Sequence, residues 1–202
     1  MALRGWAGIA AALTIGAAAT SLVLPSGSGA APRCFGQQAT IVEGGGNDRA
    51  RGTNGDDVIV LGGGNDVVDS REGDDLVCGG SGNDELHGGD GNDKIDGGSG
   101  KDFLDGRRGD DNVLLGGGGD DRLLGDSLLK GGPGADTLDG AGYVASDPVP
   151  DRSSGGGGDD RITGDNNRDR LKGGAGNDRI NGRGGNDVCN GGAGTNTLLN
   201  CP

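Results

Sequence analysis

A nine-residue period runs through most of this chain and decides what it can fold into. In residues 79–105, GGSGNDELHGGDGNDKIDGGSGKDFLD, each phrase opens Gly-Gly. Gly then stands fourth, Asp sixth, and Leu86, Ile95 or Leu104 eighth. Written G-G-x-G-x-D-x-U-x with U aliphatic, the phrase runs unbroken from 43 to 114 and, after Leu115 as an extra residue, through 116–124. GDSLLK (125–130) reads as a phrase lacking three positions, and 131–139 is complete. After 140–154 the register resumes from 155 to 199. Fifteen full phrases result; the sixth residue is Asp in all but the last, where it is Asn196. Self-similarity at a fixed short period is the mark of stacked, like units. Without it, a chain with 50 Gly in 202 residues, 2 % aromatics and a net charge of −13 reads as disordered.

Residue chemistry gives the phrase its shape. Glycines at positions one, two and four permit positive φ, so the first six positions form a tight turn. Positions seven to nine make a short strand whose eighth side chain faces in while the seventh and ninth face out. One inward aliphatic per phrase builds a core only when phrases stack into a column. Stacking also brings the sixth-position carboxylates into register, where like charges repel unless a cation lies between them. An environment of carboxylate and carbonyl oxygens suits a hard cation, and Ca2+ accepts the larger, less regular cage.

Seven phrases (79–87, 88–96, 97–105, 116–124, 131–139, 155–163 and 173–181) carry all three glycines with the aspartate. In this they resemble the RTX, or haemolysin-type, calcium-binding nonapeptide repeat. The resemblance implies an all-β fold, a parallel β-roll solenoid with two phrases per coil and turns stacked along two edges. It implies several Ca2+ ions, each held between turns two phrases apart by backbone carbonyls and the sixth-position carboxylates. Carried over, Gly80 O, Gly82 O and Asp84 face Gly97 O, Ser99 O and Asp102. On the other edge Gly89 O, Gly91 O and Asp93 face Gly106 O, Arg108 O and Asp111. The other implied carboxylates are Asp57, Asp66, Asp75, Asp121, Asp136, Asp160, Asp169, Asp178 and Asp187. Departures at Glu43, Ala50, Arg71, Asn167 and Asn196 predict weak or empty sites.

The rest of the chain reads as export and capping. Residues 1–30 have a basic start at Arg4, an apolar stretch from Gly5 to Leu24, and small residues ending at Ala30, as in a cleaved signal peptide. Its removal takes the charge from −13 to −14 and leaves no membrane span. Residues 31–42 form an N-terminal cap segment, 43–139 and 155–199 two repeat blocks, 140–154 an insertion loop, and 200–202 a tail. Four cysteines allow three pairings. Cys34–Cys78 with Cys189–Cys201 is preferred, because each bridge ties one end of the chain onto neighbouring repeats. The acidic surplus argues against nucleic acid. No general-base or nucleophile constellation stands apart from the turns, and His87, at an outward ninth position, is expected to be exposed. The expected protein is a secreted calcium-binding roll, not an enzyme. The rival class is an accessory module recognising an extracellular glycan or protein partner.

Overall fold

A computed structural model describes residues 30–109, 112–140 and 150–202. Residues 1–29 of the proposed signal peptide lie outside them, as does Asp111. Among the described residues no helix is long and apolar enough to cross a membrane. The chain coils into a parallel β-solenoid whose strands alternate between two nine-stranded sheets. One sheet runs in order from Ile41–Val42 and Val58–Gly63 to Arg170–Ala175 and Val188–Ala193. The other runs from Arg49–Arg51 to Thr197–Leu199. Each strand pairs with the one two phrases away, as Leu104 does with Leu86 and with Leu123.

The core is the column of eighth-position residues. Ile59, Val68, Val77, Leu86, Ile95, Leu104, Leu114, Leu123, Leu129, Leu138, Ile162 and Ile180 are fully buried between the sheets. Leu61, standing where the phrase would place its first glycine, joins them. Ile41 extends the column one phrase before the repeats were expected to begin, because it pairs in register with Ile59.

Three expectations of register are corrected. Leu115 is not the extra residue: Leu114 pairs with Ile95 and fills the core, while Val113 and Leu115 point outward. Val113-Leu114-Leu115 offers three aliphatics in a row, so the sequence could not choose among them. The additional residue is absorbed by the turn 106–112, and Asn112 takes the sixth position. The short phrase 125–130 keeps its strand, Leu128–Pro133, on a turn of only three residues, with Ser127 at position six.

Residues 141–149 lie outside the described residues, but the expected insertion does not extend to 154, because Arg152 already opens a strand of the roll. Arg152–Gly157 pairs with Leu128–Pro133 on one side and Arg170–Ala175 on the other. Gly140 takes the first position of this phrase, Asp151 the sixth, and Ser153 the buried eighth. The strands stay paired in register across this phrase, and loops tolerate added length far better than strands do.

Both ends are closed by disulfides, Cys34–Cys78 and Cys189–Cys201, with Cα atoms 5.8 and 5.9 Å apart. A hairpin of Arg33–Cys34 and Gln37–Gln38 brings buried Cys34 against the outer face of the first sheet. There it covers Val58, Val60, Leu76 and Cys78. At the other end Cys189 and Cys201 pack against the last of the column. Leu198, beyond them, is 45 % exposed.

This column predicts a steep contrast in mutational cost. Leu104→Ala should destabilise the ion-loaded protein by about 2–5 kcal/mol, as truncation of a fully buried leucine does, and Leu198→Ala by much less. Urea melts of the two variants check this; equal losses would contradict a core built from the central column.

Candidate metal centre

The turns stack as regularly as the strands, and two side-chain ladders hold them. In the inner ladder the backbone N–H at position six donates to the Oδ1 of the sixth residue two phrases on. Asp66 N–H donates to Asp84 at 2.9 Å, Asp84 to Asp102 at 2.9 Å, and Asp160 to Asp178 at 3.0 Å. The same bond bridges the irregular turns, from Asp93 N–H to Asn112 and from Ser127 N–H to Asp151. In the outer ladder the direction reverses. Asn83 N–H donates back to Asn65 Oδ1, and Asn92 N–H to Asp74 Oδ1, both at 2.8 Å.

Only one carboxylate oxygen is used by the inner ladder. In Asp66, Asp75, Asp84, Asp93, Asp102, Asp121, Asp136, Asp160, Asp178 and Asp187 the Oδ2 atom is buried and has no hydrogen-bond partner among the described residues. An ionised oxygen buried in this way costs more than the ~1–3 kcal/mol of an unpaired neutral group. Two of the expected ligands differ. Asp57 Oδ2 accepts from the Thr53 amide and hydroxyl at 2.6 and 3.0 Å, and Asp169 Oδ2 from Asp165 N–H at 3.0 Å.

The free Oδ2 atoms point into a cradle that glycine makes. A Cβ on Gly79 would come within 2.5 Å of Asp84 Oδ2 and 2.6 Å of Gly97 O, so residue 79 must lack one. Gly98 and Gly100, both with positive φ, face the Gly80 and Gly82 carbonyl oxygens so closely that a Cβ would overlap them. The Gly91 carbonyl meets Gly109 in the same way, and Gly106 O lies beside Gly88 and Asp93 Oδ2. Gly89 itself, at positive φ, faces the Arg71 carbonyl, so Arg71 presents its oxygen as a glycine would, at φ 82°. Ser99 O and Arg108 O each accept one stacked amide, from Gly82 and Gly91.

Several carboxyl pKa values are raised. Burial first, then repulsion within the ladder, pushes Asp93 and Asp121 up to about 7, and Asp102 and Asp160 up to about 6. Asp151 is pushed up to about 8 by burial, with Asp169, Asp165 and Asp126 adding repulsion. His87 is not an exposed bystander: its side chain is 15 % exposed, between Glu85 and Asp105.

A row of buried, unpaired carboxylate oxygens beside backbone carbonyls is an oxygen-only donor set, and it fits Ca2+, which takes about six to eight oxygens in irregular geometry. The model of the RTX calcium-binding nonapeptide repeat matches residues 44–77, 79–113, 110–128, 124–142, 150–174 and 163–198. The chain belongs to this family. No curated protein sequence matches it closely. Family membership makes the protein calcium-binding, and the RTX match beginning at 150 agrees with Asp151 standing just before a strand of the roll.

Sequence reasoning missed Asp151, Asn112 and the outer ladder. Asp151 stands four residues before Gly155, the spacing that separates every sixth-position Asp from the next phrase. The outer ladder was signalled by the recurrence of Asn and Asp at position five.

The raised carboxyl pKa values predict how an ion-free roll responds to pH. Folded, these groups hold protons where the unfolded chain, with Asp near 3.8, has released them. The ion-free roll is therefore favoured in acid and loses stability as pH rises from about 4 to about 8. Circular dichroism in chelator should show more β structure at about pH 5 than at about pH 8. A spectrum independent of pH would contradict the burial and repulsion described.

Proposed function

We propose that this protein is a secreted calcium-binding β-roll that folds when several Ca2+ ions enter between its stacked turns. The reading is carried by the row of Oδ2 atoms that are buried and unpaired in every regular turn from Asp66 to Asp178. Their ligand set exists only in the folded chain, so the free energy of ion binding becomes free energy of folding. One aliphatic side chain per phrase buries too little to order nine residues rich in glycine without that contribution. The ligands are the sixth-position carboxylates with the first- to fourth-position carbonyls, at affinities of about 10⁻⁴–10⁻³ M, suited to extracellular calcium. Two disulfides fit an oxidising compartment, and residues 1–30 supply an export signal.

A second reading, a binding module for an extracellular glycan or protein partner, rests on one face of the first sheet. Lys130, Arg152, Arg170 and Lys172 are exposed there and have no ion-pair partner among the described residues. Arg152 and Arg170 are direct neighbours on adjacent strands, an arrangement that is unfavourable on its own. In a chain of net charge −13 with its acids gathered at the turns, this face suits an anionic partner.

The oxidised protein lacking residues 1–30 should change from a largely unordered to a β-rich circular dichroism spectrum when millimolar Ca2+ replaces EGTA. The transition should be cooperative, because each ion orders turns shared with its neighbours. A β-rich spectrum at neutral pH that survives chelation, with no metal left bound, would show that the column and disulfides suffice alone.

A further inference from the structure

The repeat motif is most disturbed at turns 140–151 and 164–169. The first has twelve residues in place of six, and the second carries Asp165 and Asn167 where the phrase has glycine. From sequence this is where a calcium site should be weak or empty. The structure instead brings three carboxylates together: ligand atoms of Asp151, Asp165 and Asp169 lie within 4.8 Å of one another.

Hydrogen bonds account for most of these oxygens but not all. Asp165 accepts from the Asn167 amide and side chain, both at 2.7 Å. Asp169 accepts from the Asp165 and Asp151 amides at 3.0 and 3.2 Å. Asp151, 2 % exposed, uses Oδ1 for the Ser127 amide, and its Oδ2 is buried without a partner. That Oδ2 is directed at Gly140, where a Cβ would overlap it and would also lie 3.3 Å from Thr163 O, the carbonyl that leads into turn 164–169. A local turn cap explains Asp165 alone. It does not explain why Asp151, with a buried and unpaired oxygen, lies within ligand distance of two further carboxylates.

We infer that Asp165 adds a third side-chain carboxylate to the sixth-position pair Asp151 and Asp169, forming a Ca2+ site tighter than those completed by glycine carbonyls alone. The inference rests on the calcium reading proposed above. An Asp side chain at position two supplies a full negative charge where a regular turn offers a neutral carbonyl. Calcium affinity rises with the number of charged ligands and the rigidity of the site. Asn167 and the stacked amides already hold Asp165 and Asp169, so little ordering remains to be done when the ion enters. Placed beside the longest turn, this ion fixes the coil that joins the two regular repeat blocks.

Titration of the oxidised protein lacking residues 1–30 with Ca2+ against a chromophoric chelator tests this. Wild type should show one site filling before the rest. Asp165→Asn should weaken that first phase by at least about ten-fold and leave the later uptake in place. Asp165→Gly, which restores the residue the repeat itself uses, should weaken it as well. Asp84→Asn, on the opposite edge, should preserve the first phase. Circular dichroism at saturating Ca2+ confirms that each variant folds. First-phase binding unchanged in Asp165→Asn or Asp165→Gly would overturn the inference while leaving the calcium-binding roll intact. Absence of any Ca2+ uptake by wild type would overturn both.

Discussion

Everything in this roll depends on how the sixth-position aspartate divides its two oxygens. Oδ1 is tied to an amide of the preceding coil, as Asp102 is to Asp84 N–H, and that bond fixes the side chain before any ion arrives. Oδ2 is left buried and unpaired beside carbonyls such as Gly97 O. The same residue therefore stacks the coils and leaves a buried oxygen whose charged form is costly to bury. The glycines follow from this arrangement. At most of the glycines in positions one, two and four a Cβ would strike either the carboxylate or a carbonyl of the neighbouring coil.

The two edges of the roll are not equivalent. Along one edge, every turn from 43–48 to 191–196 has six residues, and the Asp ladder is uninterrupted until Asn196. All changes of length fall on the other edge, at 106–112, 125–127 and 140–151. The non-glycine residues at position two that take positive φ, Arg71, Arg107 and Arg183, are also there. One strict edge is enough to keep the strands in register. The other is then free to vary, as loops on a rigid scaffold commonly are.

Much of this was legible in the residues. Period nine, the inward eighth position and the sixth-position carboxylates identified the column and most of the ladder, because both depend on spacing alone. Leu114 was misplaced because Val113 and Leu115 are equally apolar, and only strand pairing distinguishes them. Asp151 was hidden because a lengthened turn breaks the count forward from Gly140 while leaving intact the count back from Gly155. Ser153 at a core position gave the phrase no aliphatic signal. The three-carboxylate cluster was invisible for a related reason. Asp165 looks like a lost glycine until the fold places Asp151 beside it.

The central claim is that cations occupy the spaces beside the unpaired Oδ2 atoms. Crystals of the oxidised protein grown in millimolar Ca2+, with anomalous scattering used to locate the ions, test it most directly. The account predicts a file of ions along the regular edge, each about 2.3–2.6 Å from an Oδ2 such as that of Asp84, Asp102 or Asp121 and from neighbouring carbonyl oxygens. A folded roll in which those oxygens meet only water or protein donors, with no anomalous peak beside them, would contradict it.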